Sequence, residues 1–262
     1  MRFAILLMVA LTFKEGVEQW RAQYEAGLKA PSGWLSVAGL FWLHEGDNVA
    51  GSDPQSDVVL PESAPKRAGV FSFHGGVVKW SGKTLRPNSD DDVKIGSLSM
   101  TIISRGGKTG VRLRDPQAET VRNFTGCVWY PIADKWHVIA KWVPYPQPTK
   151  IPITNILGMT EPQDSPGYAE FQLSGKQVRL EPVIENGQLF FMFKDATSGS
   201  TTYGAGRFLY ADMPKDGTVD LDFNKAKNPP CAFTAFATCP LPPKQNTMPL
   251  ALEAGEKKYG HH

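Results

Sequence analysis

From Phe13 onward the apolar residues Phe13, Val17, Trp20, Tyr24 and Leu28 recur in steps of four, three, four and four, the spacing of one helical face. Lys14, Glu15, Glu18, Gln19 and Arg21 fill the other faces, and Ala30-Pro31-Ser32-Gly33 ends the pattern. Residues 13–30 are therefore expected to form an amphipathic helix. Ahead of it, residues 1–12 carry one positive charge and an apolar run of about ten, the length of an export-signal core and too short to span a bilayer. No small-x-small cleavage pattern follows. One expectation is an export leader or its remnant, with the protein periplasmic or secreted. The other is an apolar end packed on the core of a cytoplasmic protein. No other segment reads as an integral membrane span.

Beyond residue 30 the helical spacing nearly vanishes. Short runs such as "DVVLP", "AGVFSF", "GVVKW", "SMTIIS" and "GVRLR" alternate with the turn signals "SDPQSD", "HGG", "PNSDDD" and "RGGKTG". Turns at such close intervals predict a β-sandwich-like region over residues 31–115. A seam falls at "DPQAE", Asp115 to Glu119, and more β-favouring runs follow, among them "WHVIAKWVPY", "GYAEFQL", "QLFFMFKD" and "TVDLDF". Residues 116–262 are expected to form a β-barrel-like region crossed by a proline-rich strap. The fold class is mostly β, and no repeat of fixed period is visible.

Composition narrows the function. The chain has 262 residues, 41% hydrophobic and 21% charged, ordinary values for a globular protein. A formal charge of +2 supplies no electrostatic footprint for nucleic acid. The familiar site motifs are missing: no G-x-S-x-G elbow, no G-x-G-x-x-G turn, and "RGGKTG" has Ile102 where a phosphate loop needs its first glycine. His44, His74 and His137 are far apart, and Cys231 and Cys239 are eight apart, so no metal site is expected. No cofactor is expected.

Two resemblances bear on the chain. "LHEGDNVAGSDPQSDVVLP" resembles the opening of a forkhead-associated domain, a β-sandwich that reads phosphothreonine. Ser52 stands where that family carries its phosphate-pairing arginine, so the resemblance implies the fold and not the recognition. "GVRLRD", "RNFTG", "WYPI", "PGYAEFQL", "FKDATSGSTTYGAGRFLYAD", "LDFNKAKNPPCAF", "TCPLPPKQN" and "AGEKKY", in that order, resemble the bacterial and archaeal family catalogued as domain of unknown function 1684. That resemblance implies a set of motif residues rather than an activity: Arg112, Arg114, Asp115, Arg122, Asp195, Tyr203, Gly206, Arg207, Asp222, Asn224, Asn228, Cys231, Cys239, Asn246 and Glu256.

Among these, "NPPCAFTAFATCPLPPKQN" holds two of the three cysteines between rigid proline arms. Three readings stay open: a disulfide worth roughly 2.5 kcal/mol, a reactive thiol, or two buried thiols. The polar cluster comes from a hairpin. "FFMFKD" ends a strand, a glycine- and hydroxyl-rich turn follows, and "GRFLY" returns, so Asp195, Tyr203 and Arg207 are expected to converge. In "TVDLDFN" the alternation puts Asp220, Asp222 and Asn224 on one face. Asp195, Tyr203, Arg207, Asp222 and Asn224 could then do acid–base work, with Arg207 orienting an anionic substrate. The competing reading is a buried network pinning turns. Asn228, Cys231, Cys239, Asn246, Arg112, Arg114, Trp129 and Tyr130 are the candidate binding residues. Trp136, Trp142 and Tyr145 add aromatic density that could line a ligand cavity or simply fill the core. The expected function is a cofactor-independent, hydrolase-like enzyme acting on a small polar or ester-type substrate in a barrel pocket. The alternative is a non-catalytic small-molecule-binding β protein of the cell envelope.

Overall fold

A computed structural model describes residues 11–260. The leader expected over residues 1–12 falls, apart from Leu11 and Thr12, outside the described residues, as do His261 and His262. The amphipathic helix α1 (Phe13–Lys29) forms where the spacing placed it. Its start is a reciprocal cap: the Glu15 amide donates to Thr12 Oγ1 at 3.3 Å while the Thr12 amide donates to Glu15 Oε2 at 2.8 Å. At its end the chain doubles back so closely that a Cβ on Gly33 would meet the carbonyl oxygens of Gly27 and Leu28 at 2.3 Å. Val17 and Leu28 are buried. No helix of the described residues is long and apolar enough to cross a membrane.

The first half is sandwich-like. Its strands are β1 (Val37–Trp42), β2 (Gly46–Gly51), β3 (Val58–Val59), β4 (Gly69–His74), β5 (Val77–Trp80), β6 (Lys83–Leu85), β7 (Asp92–Ile95), β8 (Leu98–Arg105) and β9 (Lys108–Arg114). They form one sheet in the order β1-β9-β8-β7 and another in the order β3-β2-β4-β5-β6. Phe71, Val78 and Leu85 of the second pack with Met100, Ile102 and Val111 of the first around one core. Ser52 Oγ donates to the Ala64 carbonyl at 2.8 Å and so braces its own loop.

The second half has β10 (His137–Thr154), β11 (Thr160–Leu173), β12 (Lys176–Leu180), β13 (Val183–Glu185), β14 (Gln188–Phe193), β15 (Arg207–Ala211) and β16 (Thr218–Asp222). Asn186-Gly187 joins β13 to β14, and Asp216-Gly217 turns the chain between Lys215 and Thr218 into β16, each with positive φ at both positions, the tight-turn geometry that twists with the strands. The sheets run β12-β11-β10-β16 and β13-β14-β15, and neither closes on itself, which corrects the barrel expectation. Instead of pairing round a ring, the two open sheets face each other across Phe171, Phe191, Phe193 and Phe223. The C-terminal segment completes that core. Met248, Leu250, Leu252 and Ala254 are buried at every second position of an extended chain that belongs to no regular sheet.

The strap, residues 228–246, runs between the halves. Thr234 Oγ1 donates to the Val37 carbonyl at 3.0 Å, and the Ile156 amide donates to the Cys239 carbonyl at 2.9 Å. Cys127, Cys231 and Cys239 are free thiols, so the disulfide reading is corrected. The Cys231 amide donates to Cys239 Sγ at 3.1 Å. Proline arms and the packing of Ala237 and Cys239 into an apolar cluster hold the loop without a covalent link. Denaturation without reductant, followed by titration with a thiol-reactive chromophore, is expected to count three reactive thiols; a count of one would restore the bridge.

Candidate functional site

The five residues argued as an acid–base set do not share an open pocket. Arg207, at the start of β15 opposite Phe193, is fully buried. Its Nη2 donates to Asp195 Oδ2 at 2.8 Å and to the Leu252 carbonyl at 3.0 Å, and its Nη1 donates to the Ala254 carbonyl. Asp195 Oδ1 accepts from the Thr197 amide at 2.9 Å, from Thr197 Oγ1 at 2.6 Å and from the Leu252 amide at 3.1 Å. This network ties the β14–β15 loop to the C-terminal segment. It gives Asp195 and Arg207 a structural part, with no face toward solvent.

Asp222 and Asn224 sit elsewhere. The β16 alternation holds to Asp220, which is exposed and meets His137 at 2.6 Å, and then the chain turns into a short 3₁₀ segment (Phe223–Lys225). Asp222 Oδ1 accepts from the Asn224 amide at 3.1 Å and from Asn224 Nδ2 at 2.9 Å, and its other oxygen meets Lys225 at 3.2 Å. Asn224 exchanges hydrogen bonds with the Ala133 backbone, and its carbonyl accepts from Arg21 of α1 at 3.0 Å. Tyr203 donates to the Cys231 carbonyl at 3.2 Å. Asn246 bonds the Glu181 backbone and the Met192 carbonyl, pinning the strap's far end.

The cavity lies apart from these networks, where α1, β9, β13–β15 and the strap meet. Its volume is about 560 Å³. Phe190, Phe208, Ile153, Val183, Met192 and Phe233 supply its apolar wall. Of the expected site residues, Arg112, Asn228 and Cys239 reach it. Arg112 stacks over Trp34 at 4.9 Å, while Arg114 lies at 5.7 Å from the same ring and donates to the Gly33 carbonyl at 2.8 Å. Asn228 donates its amide to Glu256 Oε2 at 2.8 Å and its Nδ2 to the Lys257 carbonyl at 2.8 Å, leaving a buried Oδ1 unpartnered. Hydrogen bonding with Cys231 and burial push the Cys239 thiol up, so it stays protonated at neutral pH. Trp129 and Tyr130 face other partners: Trp129 Nε1 donates to Glu25 at 2.7 Å, and the Tyr130 hydroxyl meets Thr201 at 2.5 Å. Trp136 is buried in the main core with Trp142 against it, and the Tyr145 hydroxyl bonds Glu181.

Sequence reasoning missed Lys227, Tyr210, Trp34 and Tyr24 as cavity residues. Lys227 Nζ lies 4.7 Å from the Tyr210 ring and 5.2 Å from the Tyr24 ring. Its signal was its place in "NKAKNPPC", directly before the strap. No group of three His, Cys, Asp or Glu side chains converges among the described residues.

Glu256, beneath Asn228, is fully buried. Burial pushes its carboxyl up to about 7, against hydrogen bonds from Asn228, Cys127 and Tyr24 that favour the carboxylate. Lys227 and Arg207 lie within its field.

Two measurements follow from this geometry. Asp195→Ala strands a buried guanidinium and is expected to cost about 3–5 kcal/mol in urea unfolding. Adding Arg207→Met should recover part of that loss, and a fully additive pair would sink the network. For Glu256, an ordinary carboxyl releases its proton near 4.5, whereas the folded chain holds this one to about 7. Its contribution to stability is thus full below pH 4.5 and falls as pH rises to 7. Unfolding free energy of wild type minus Glu256→Gln should drop by about 3 kcal/mol over that window, and parallel pH profiles would contradict the raised carboxyl.

No curated protein matches the chain. Among solved structures, it is similar to an uncharacterised protein of Haloarcula marismortui determined in solution by NMR, with 27% identity and a TM-score of 0.45. That similarity covers 54% of this chain and 80% of the other. The family model described as Protein of unknown function (DUF1684) matches residues 122–257, leaving the "GVRLRD" strand outside, and on that match the chain belongs to this family.

Proposed function

We propose that this protein binds a small molecule, without catalysis, in the cavity between α1, β9, the β13–β15 sheet and the strap. The observation that carries the reading is the cavity's construction. Its volume of about 560 Å³ falls in the usual range for ligand pockets, roughly 300–1,000 Å³. Aliphatic and aromatic side chains make somewhat more than half of its wall, and polar groups stand among them: the cations Arg105, Arg112 and Lys227, the carboxylates Glu161 and Glu185, and amides including Asn228. That mixture suits recognition of a small molecule, with apolar area for affinity and polar atoms for orientation.

A hydrolase-like reading has less to stand on. The acid–base set expected for it, Asp195, Tyr203, Arg207, Asp222 and Asn224, lies outside the wall, and the wall's own carboxylates, Glu161 and Glu185, accept from the Gly106 amide and the Tyr210 hydroxyl. Cys239 does reach it, but as a neutral thiol, and the thiolate is the nucleophilic form.

The neutral fluorophore N-phenyl-1-naphthylamine tests the site. Wild type should give a saturable rise in emission, and Ile184→Trp, at an exposed position of the cavity wall, should weaken it by about tenfold by filling the mouth. An unsaturable signal, or identical titrations for the two chains, would count against this cavity. Steady p-nitrophenol release from p-nitrophenyl esters that disappears in Cys239→Ala would favour the hydrolase instead.

A further inference from the structure

We propose that the cavity is an organic-anion site, taking a carboxylate or phosphate head on Arg112 and an apolar body along the Phe190–Phe208 wall. This rests on the binding reading above and adds the chemical class of ligand.

The argument begins with how Arg112 is buried. It lies mid-strand on β9 and is 7% exposed, yet no hydrogen bond or ion pair engages its guanidinium among the described residues; its Nε is sealed without a partner, as Arg207 Nε is, but Arg207 uses both of its terminal nitrogens. A guanidinium carries five donors and stays charged at neutral pH. Burial lowers its pKa to about 10, and the nearby charges of Arg114 and Arg105 push the same way. Evolution of a stable core would place a carboxylate there or replace the cation; Arg207, in the second half, shows what a satisfied buried arginine looks like in this chain.

The surroundings of Arg112 offer no internal anion. Cys239, close to it in the cavity wall, is held protonated. The two carboxylates in the wall, Glu161 and Glu185, are both exposed and engaged: Glu161 accepts from the Gly106 amide at 2.7 Å and Glu185 accepts from the Tyr210 hydroxyl. The Trp34 face beneath Arg112 stabilises the cation without neutralising it. The wall has two further cations: Arg105 is bonded to Asn88 and the Ser104 carbonyl, whereas Lys227 rests on aromatic rings, with Glu256 and Glu185 in its field but no ion pair closed onto it among the described residues. Arg112 and Lys227, braced by rings and closed onto no carboxylate, stand beside the apolar run of Phe190, Phe208, Ile153 and Met192 and fit a ligand with a charged oxyanion head and a greasy body. Acidic residues at the exposed positions then favour the orientation with the head inward. Arg105 and Arg112 also border a second cavity of about 710 Å³, but that one is lined by Asp90 and Asp92 and lacks the aromatic wall.

Calorimetric titration of the intact chain with octanoate, octyl phosphate and 1-octanol tests the class, since the three share a tail and differ in head. Wild type should bind at least one anion about tenfold or more tighter than the alcohol. Whichever anion is preferred identifies the head. Arg112→Gln should erase that preference, so that octanoate and octyl phosphate bind the variant no tighter than octanol binds the same variant. Equal affinity of wild type for all three, or an anion preference that survives Arg112→Gln, overturns the anion site while leaving cavity binding intact. Absence of binding by all three, together with no saturable signal from the neutral fluorophore, overturns both. Should Arg112→Gln fail to fold, the head-group preference of wild type decides alone, and Lys227→Gln is expected to reduce it.

Discussion

One buried ion pair organises the C-terminal half. A guanidinium with no exposed surface is costly unless it is paired, and Arg207 sets its two terminal nitrogens on Asp195 and on the Leu252 and Ala254 carbonyls. Each of those partners belongs to a different part of the chain from the strand that carries the arginine. Asp195 opens the loop between β14 and β15, and Leu252 and Ala254 lie in the final extended segment. The pair therefore does what a further strand would do in a closed barrel: it fixes the segment that covers the open core. Met248, Leu250, Leu252 and Ala254 can insert at alternate positions because the polar anchor holds the register between them and the sheet.

The same physics separates the two buried arginines. Arg207 and Arg112 are both desolvated, and both guanidiniums lie near an aromatic ring. One meets a carboxylate and two carbonyls; the other faces the cavity and two like charges. An unpaired buried charge is costly to keep, by several kcal/mol in general. Its persistence in a strand that must pair on both edges, with Leu40 on one side and Thr101 on the other, is a reason to look for its partner outside the chain.

Much of the architecture was legible because it rests on period. The spacing from Phe13 to Leu28 specified α1, and β-favouring runs punctuated by turn residues specified most of the strands. What stayed hidden was placement. A one-dimensional pattern shows that Asp195, Tyr203 and Arg207 are neighbours across a hairpin, but not whether the hairpin end is open or roofed. Here "TMPLALEAGE" roofs it, and its period-two burial carries no regular strand pairing to announce it. The alternation through "TVDLDFN" misled for a local reason: the strand stops at Asp222 and the chain tightens into a 3₁₀ turn, so Asn224 swings onto the Ala133 backbone. Arg112 and Asn228 were picked out from family motifs alone. Their common cavity is built from residues more than a hundred positions apart; Lys227 had only its place before the strap to mark it, and Trp34 had no pattern at all.

The strap is what turns this packing into a site. Without it, Arg112 on β9 and the Phe190–Phe208 wall would belong to two separately packed cores. Pro229 and Pro230 hold Asn228 extended over Glu256, and Pro240 pairs with Asn155 of the β10–β11 hairpin, so both arms are fixed before the loop between them is considered. Between these anchors Thr234 reaches back to Val37 of the first sheet. A segment pinned at three places leaves little freedom to collapse onto the arginine, and the cavity beside it persists because filling it would require breaking those bonds. A ligand entering a preformed cavity of this kind would meet no large ordering cost, since the chain has already been ordered by the fold. Asp195, Arg207, Asp222 and Asn224 thus brace turns away from the cavity, whereas Arg112 meets it with no internal counter-ion among the described residues.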